Sequence, residues 1–263
     1  MTDEQPPSGP AAEIDAAAPA SPQPERYPFW GYHDLLLFAE LVIPCMWLGN
    51  FLVKGVLRLF RIDPAMRVVE LLPEQLADYT FLFGALLLIF RMEYGRPFWK
   101  SLGWTAPTLR FPWLVVAGVG AAIGAAMLGG LLHMPDTSNP MMELMKDSTS
   151  LVLVAIFGVS IGPLCEELFF RGFLQPLLVR SYGAIPGILA VAVPFGLLHF
   201  AQYGNSWRHV LVIALSGAAF GWMRHTTGST YASTIMHAAY NLLGFVGLLA
   251  QRAHTVSRIE LKW

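Results

Sequence analysis

The sequence predicts an all-α, polytopic membrane protein of about seven transmembrane helices around a polar cavity, and three observations lead there. Of its 263 residues, 55% are hydrophobic and only 13% charged, against roughly 25% charged in soluble domains; the mean hydropathy is +0.51. Apolar stretches about 20 residues long, enough to cross a bilayer, recur at 35–57, 76–92, 111–134, 151–179, 184–203, 208–224 and 229–251. The segment PLCEELFFRGFL, 163–174, places Glu166, Glu167 and Arg171 inside the fourth stretch. An ionised side chain near a bilayer centre costs on the order of 2.5–3.5 kcal/mol even on the mildest scale, so charges retained there mark a functional site.

Taken in order, residues 1–28 contain seven Pro and six Ala with acidic punctuation, too little apolar surface to offset chain entropy, and read as a disordered tail. This stretch lacks the basic and apolar regions of a signal peptide, so the first span is expected to remain as an anchor. Transmembrane helices then occupy 29–135, the motif-bearing helices 136–251, and a short tail 252–263. Residues 135–150 read as a loop or a short surface helix entering the fourth span. Gly120 with Gly124, and Gly217 with Gly221, form two GxxxG motifs, a spacing that lets helix backbones approach closely in lipid. Cys45 and Cys165 sit apart in apolar segments as filler, without a disulfide framework. No basic cluster points to nucleic acid. The cations expected on the two sides of the membrane are too evenly divided for the positive-inside rule to set an orientation.

Three polar pairs recur at helical spacing, each in a different span. Glu167 and Arg171 are i and i+4 and lie on one helix face, where they can pair. Glu166, rotated by about 100°, points elsewhere without a local counter-charge. Phe195 and His199 are i and i+4 in the fifth span, His237 and Asn241 in the seventh. Directed into one cavity, Glu166, His199, His237 and Asn241 would find polar partners instead of lipid. Those residue types suit hydrolysis: an unpaired carboxylate can take a proton from water, imidazoles can ligate metal, shuttle protons or donate to an oxyanion, and an amide is a neutral oxyanion donor.

These residues resemble the motifs of the CAAX protease and bacteriocin-processing (Abi) family of intramembrane proteases, similar to type II CAAX prenyl endopeptidases. The match is EExxxR at Glu166–Arg171, FxxxH at Phe195–His199 and HxxxN at His237–Asn241, in that order. PFWKSLGW at 97–104 looks like the segment before the family's third span, and AFGWMRHTTGSTYASTIMHAAYN at 219–241 like its last motif region; the resemblance covers roughly 95–245. It implies a helical bundle with a water-accessible cavity and endoproteolysis of peptide or protein substrates at the bilayer. By motif position, Glu166 would activate water with help from His199, His237 and Asn241 would hold the oxyanion, and Glu167, Arg171 and Phe195 would lend structural support. No cofactor is required on this reading. The alternative is a divalent metal, zinc, on Glu166, His199 and His237, although HExxH is absent and Glu166 as a ligand leaves no obvious base.

Two other functions compete with an integral, multi-pass protease of the plasma (inner) membrane. One is a non-catalytic immunity or scaffold protein of the same fold, which would gain from apolar replacements at these positions. The other is a small proton-coupled transporter, which would show repeat symmetry or broken helices in two halves. Cys165, flanked by carboxylates and apolar residues, is a poor nucleophile. Glu40, in the first span, receives no role; His209, His225 and His254 fall near helix ends, where solvation explains them.

Overall fold

The computed structural model describes residues 26–62, 66–134 and 140–260, and every regular element among them is helical. The tail expected at 1–28 lies outside the described residues except for its last three. The long helices are α1 (Tyr32–Leu59), α2 (Val68–Met92), α4 (Phe111–Leu131), α10 (Trp207–Thr227) and α11 (Thr230–Glu260). Short helices α3 (Phe98–Ser101) and α5 (Pro140–Leu144) lie in the connections on either side of α4. The chain is an all-α polytopic membrane protein. Among the described residues, five helical stretches are long and apolar enough to cross a bilayer: α1, α2, α4, a composite at Ser148–Tyr182, and Thr230–Gln251.

Two of the seven expected spans differ from that description. The fifth ends early: α9 runs only from Ala184 to Leu198, about 22 Å at 1.5 Å per residue, short of a hydrocarbon core of about 30 Å. The sixth, α10, has the length but carries charged and polar residues at both ends. The fourth span is not one helix. It breaks into α6 (Ser148–Val159), α7 (Ile161–Glu167), a π-helical segment Leu168–Leu174, and α8 (Gln175–Tyr182). Pro163 explains the first break, since it has no N–H to donate to Val159 four residues earlier, and α6 ends there.

Packing centres on the broken span. Trp30, Phe38, Leu86 and Phe90 close on Leu168 and Phe173 of the π segment, and the Trp30 indole donates to Phe173 O at 3.0 Å. Helices α9 and α10 form a tight pair, as do α4 with α11 and α1 with α2. The two GxxxG motifs part company. Gly217 and Gly221 are close approaches, against Phe195 and Gln175 respectively, whereas a Cβ on Gly120 or Gly124 would meet nothing. The approach of α4 to α11 is made instead by Gly118, beneath Met236 O and Ala239: the face that meets α11 is offset from the motif by two residues.

The family-like segments 97–104 and 219–241 meet at one end of the bundle. Thr230 N and Oγ1 donate to Gly103 O and Leu102 O at 2.9 and 2.6 Å, and Ser229 Oγ donates to Thr105 O at 2.6 Å. Gly103, at φ +72°, lies so close to the Arg224 guanidinium that a side chain there would collide with it. Arg224 in turn donates to Thr230 Oγ1 and to the Tyr27 hydroxyl at 2.9 and 3.1 Å. Burial pushes the Tyr27 phenol above its usual range, against the pull of Arg224.

A polar ladder between α1 and α2 has no counterpart in the sequence-based expectations. Lys54 contacts Glu70 and Glu74 at 3.5 and 4.0 Å, and Asn50 donates to Glu74 at 2.7 Å. Glu40 is not part of it; its side chain is exposed on the outer face of α1.

Candidate active site

The structure brings Glu166, Phe195, His199, His237 and Asn241 onto one cavity of about 540 Å³. Its walls come from the start of α2, from α5 to α7, from the C-terminal end of α9 and from α10 and α11. These helices meet at the end of the bundle where α1 stops and α2, α6 and α10 begin, so the cavity opens at that end.

Each motif has a local physical reason. In EExxxR, Glu166 and Glu167 point apart at the junction of α7 with the π segment. Glu166 faces the cavity with its side chain 27% exposed, whereas Glu167 and Arg171 are fully buried and ion-paired at 3.0 Å. Arg171 also donates through Nη2 to Gly217 O at 2.8 Å and lies 4.4 Å from the Phe195 ring centroid. In FxxxH, His199 stands just past the last residue of α9, not in mid-helix as the span 184–203 implies. Its backbone N–H bonds to Gly196 O, three residues back, and its ring Nδ1 lies 2.8 Å from Phe195 O. The ring thus takes the place of the missing i+4 backbone donor at a helix C-terminus. In HxxxN, Asn241 Nδ2 donates to Gly158 O at 2.7 Å, in the last turn of α6 just before the α6–α7 break, and so fixes α11 against the wall that carries Glu166.

Two tautomers follow from these partners. A backbone carbonyl only accepts, so His199 carries its proton on Nδ1 and turns Nε2 to the cavity. His237 Nδ1 lies 3.0 Å from Glu167 Oε1, and a carboxylate held against Arg171 is likewise an acceptor. His237 therefore donates from Nδ1 and presents Nε2 to Glu166 Oε2, 3.9 Å away. Glu167 thus has a second task beside its ion pair: it sets the tautomer and orientation of His237. Phe220 stacks on the same ring, with centroids 4.5 Å apart, and fixes its plane.

The sequence reading missed Glu167 as a partner of His237, because seventy positions separate them. Tyr79, Ser216 and Tyr240 also line the cavity unforeseen. Ser216 Oγ donates to Val212 O and lies 3.2 Å from the Tyr240 hydroxyl. As to metal, Glu166, His199 and His237 share the cavity, but among the described residues no three His, Cys, Asp or Glu side chains gather closely enough to hold an ion.

Residues 148–243 match one family model, described as Type II CAAX prenyl endopeptidase Rce1-like. This segment resembles that family's domain. It begins with α6, ends within α11 and contains all three motifs, so the resemblance drawn from EExxxR, FxxxH and HxxxN and the model match fall on the same residues. The match gives the motif-bearing helices a likeness to a family of membrane proteases. Helices α1, α2 and α4 lie outside the match yet supply part of the core around it. No curated protein and no solved structure matched the chain.

Proposed function

We propose that the chain is an intramembrane endopeptidase in which Glu166 activates the attacking water. The observation that carries this reading is the convergence of Glu166 Oε2 on His237 Nε2 at 3.9 Å inside a cavity that is open at one end. A gap of that length is too wide for a direct hydrogen bond and suits a bridging water. Water held between the two would lose a proton to Glu166 as it adds to the scissile carbonyl. Glu166 would then return that proton to the leaving amine. The carbonyl oxygen, as it becomes an oxyanion, would be met by the remaining Asn241 N–H and by an imidazole N–H. His237 can donate from Nε2 only as the doubly protonated ring, with Glu167 holding the Nδ1 proton. His199 Nε2, oriented by Phe195 O, is placed to pass protons between cavity and water.

Substrates would be peptides or proteins delivered at the bilayer, with CAAX-type processing following from the family likeness. The plasma membrane is the compartment this reading favours. No step needs a metal. The experiment is cleavage of a quenched peptide by purified protein in vesicles, with Glu166→Gln beside it and with exhaustive chelation as a third arm. Loss of activity in the variant and retention after chelation support the proposal. Equal cleavage by the variant would remove Glu166 as base. Near-stoichiometric zinc, lost and restored together with activity, would remove the metal-free mechanism.

A further inference from the structure

A second cavity, of about 270 Å³, lies at the opposite end of the bundle from the mouth of the first. Tyr27, Arg171, Gln175, Arg180, Arg224 and His225 line it. Arg171 closes its inner end: Nη1 faces Glu167 and Nε, fully buried, has no hydrogen-bond partner. Arg180 donates to the carbonyls of Pro28 and Trp30, and Arg224 to two hydroxyls. Each spends only part of its fork of N–H donors on them. Among the described residues no carboxylate forms an ion pair with Arg180 or Arg224. Arg26 adds further like charge beside Arg180.

We infer that this pocket binds a phosphate-bearing anion, the headgroup of an anionic phospholipid or free phosphate. Arg171 already has Glu167 as its anion, but Arg180 and Arg224 line the same small cavity without one and repel each other unless an anion joins them; Arg forks match phosphate oxygens in geometry as well as charge. The cavity lies where α8 and α10 end and α1 begins, the level of a membrane–water interface, and basic pockets between transmembrane helices are headgroup sites. Its volume is below that of pockets for drug-sized ligands, about 300–1,000 Å³, and suits a small headgroup. Arg180 and Arg224 also stand in last helical turns, where the dipole favours a cation. Dipole capping explains one charge per helix, but not the shared cavity or the unpartnered Arg171 Nε. The inference holds whether or not the other cavity is proteolytic.

The test titrates purified full-length protein with dihexanoyl phosphatidylglycerol, dihexanoyl phosphatidylcholine and inorganic phosphate at constant ionic strength, reading melting temperature. Phosphatidylglycerol is expected to raise it saturably and phosphatidylcholine to leave it unchanged. A comparable rise with inorganic phosphate assigns the site to the free anion, and a rise with lipid alone assigns it to a headgroup; either supports the inference. Arg180→Gln should weaken the response about tenfold or more, as loss of a hydrogen bond to a charged group does, whereas Arg180→Lys should keep most of it. His225 is exposed, so His225→Glu should fold normally and abolish the response by placing an anion at the mouth. A flat melting temperature with both anions, or a response unchanged in His225→Glu, would overturn the inference and leave helix capping as the role of these cations.

Discussion

Replacing Glu166 with Gln keeps size and hydrogen bonding but removes a base that stands 3.9 Å from His237 Nε2. Peptide cleavage should fall by about 10²–10⁴-fold, the usual share of general base catalysis, with melting temperature unchanged or higher. Glu167→Gln strands Arg171, fully buried, and breaking such a pair from one side costs about 3–5 kcal/mol, so expression and melting temperature should drop. Glu167→Gln with Arg171→Met should regain part of that stability, and because the Gln oxygen still accepts from His237 Nδ1, it should retain more activity than Glu166→Gln. Measured together, a stable but inactive Glu167→Gln beside an unstable Glu166→Gln would show the two roles exchanged. The pairing of Glu167 with Arg171 was legible, since i and i+4 share a helix face. The bond from His237 to Glu167 was not, because nothing local links residues so far apart in the chain.

At the scale of the element, α6 carries one wall of the cavity and begins at an acid cap. Asp147 Oδ1 accepts from Ser150 N at 2.8 Å, and hydrogen bonds from Ser150 hold its carboxyl below the usual carboxylate range. The cap's contribution is therefore complete above the unfolded value, near pH ~4, and is lost as pH falls through the lower folded value. Protection factors for amide exchange at 148–151, corrected for the intrinsic rate, should fall over that acid interval in the wild type. In Asp147→Ala the protection should be low and constant across the interval; a wild-type protection profile flat across the interval would dismiss the cap. A second prediction concerns α4. Gly118→Leu would press on Met236 O and Ala239 and should destabilise by about 1–3 kcal/mol, as overpacking does. Gly124→Leu, with open space around it, should leave the melting temperature unchanged. Equal melting for the two would mean that α4 shifts freely on α11. The apolar runs announced both helices, but not their rotation, which depends on the neighbours each face finds.

For the whole molecule, alternate helix ends lie at opposite ends of the bundle, with the main cavity opening at the 199–206 end and the basic pocket at the other. In sealed vesicles, single cysteines at Arg61 and Gln202 should react with an impermeant thiol reagent from the same side, and one at Lys100 from the opposite side. Cys45 and Cys165 are buried and should contribute little background. Labelling of Lys100 and Gln202 positions from one side would contradict this arrangement. Deleting residues 2–25, which precede every motif and are rich in Pro and Ala with few large apolar side chains, should leave folding and cleavage within about a few-fold, since such a composition offers little surface to bury. A large loss of cleavage at unchanged expression would give that segment a role.

Composition and apolar run length by themselves determined the membrane class and the helical fold, because a bilayer demands long runs whose backbone bonds are all internal. They also determined which few polar residues to examine, since each is costly in lipid unless it serves a purpose. Tertiary structure alone decided how those residues are arranged. It broke the fourth span at Pro163 and wound it into a π segment, ended α9 at His199, turned Glu167 to His237, and gathered Arg180 and Arg224 around a second cavity. These outcomes depend on which helix faces meet, and contacts between distant segments leave no periodic trace along the chain.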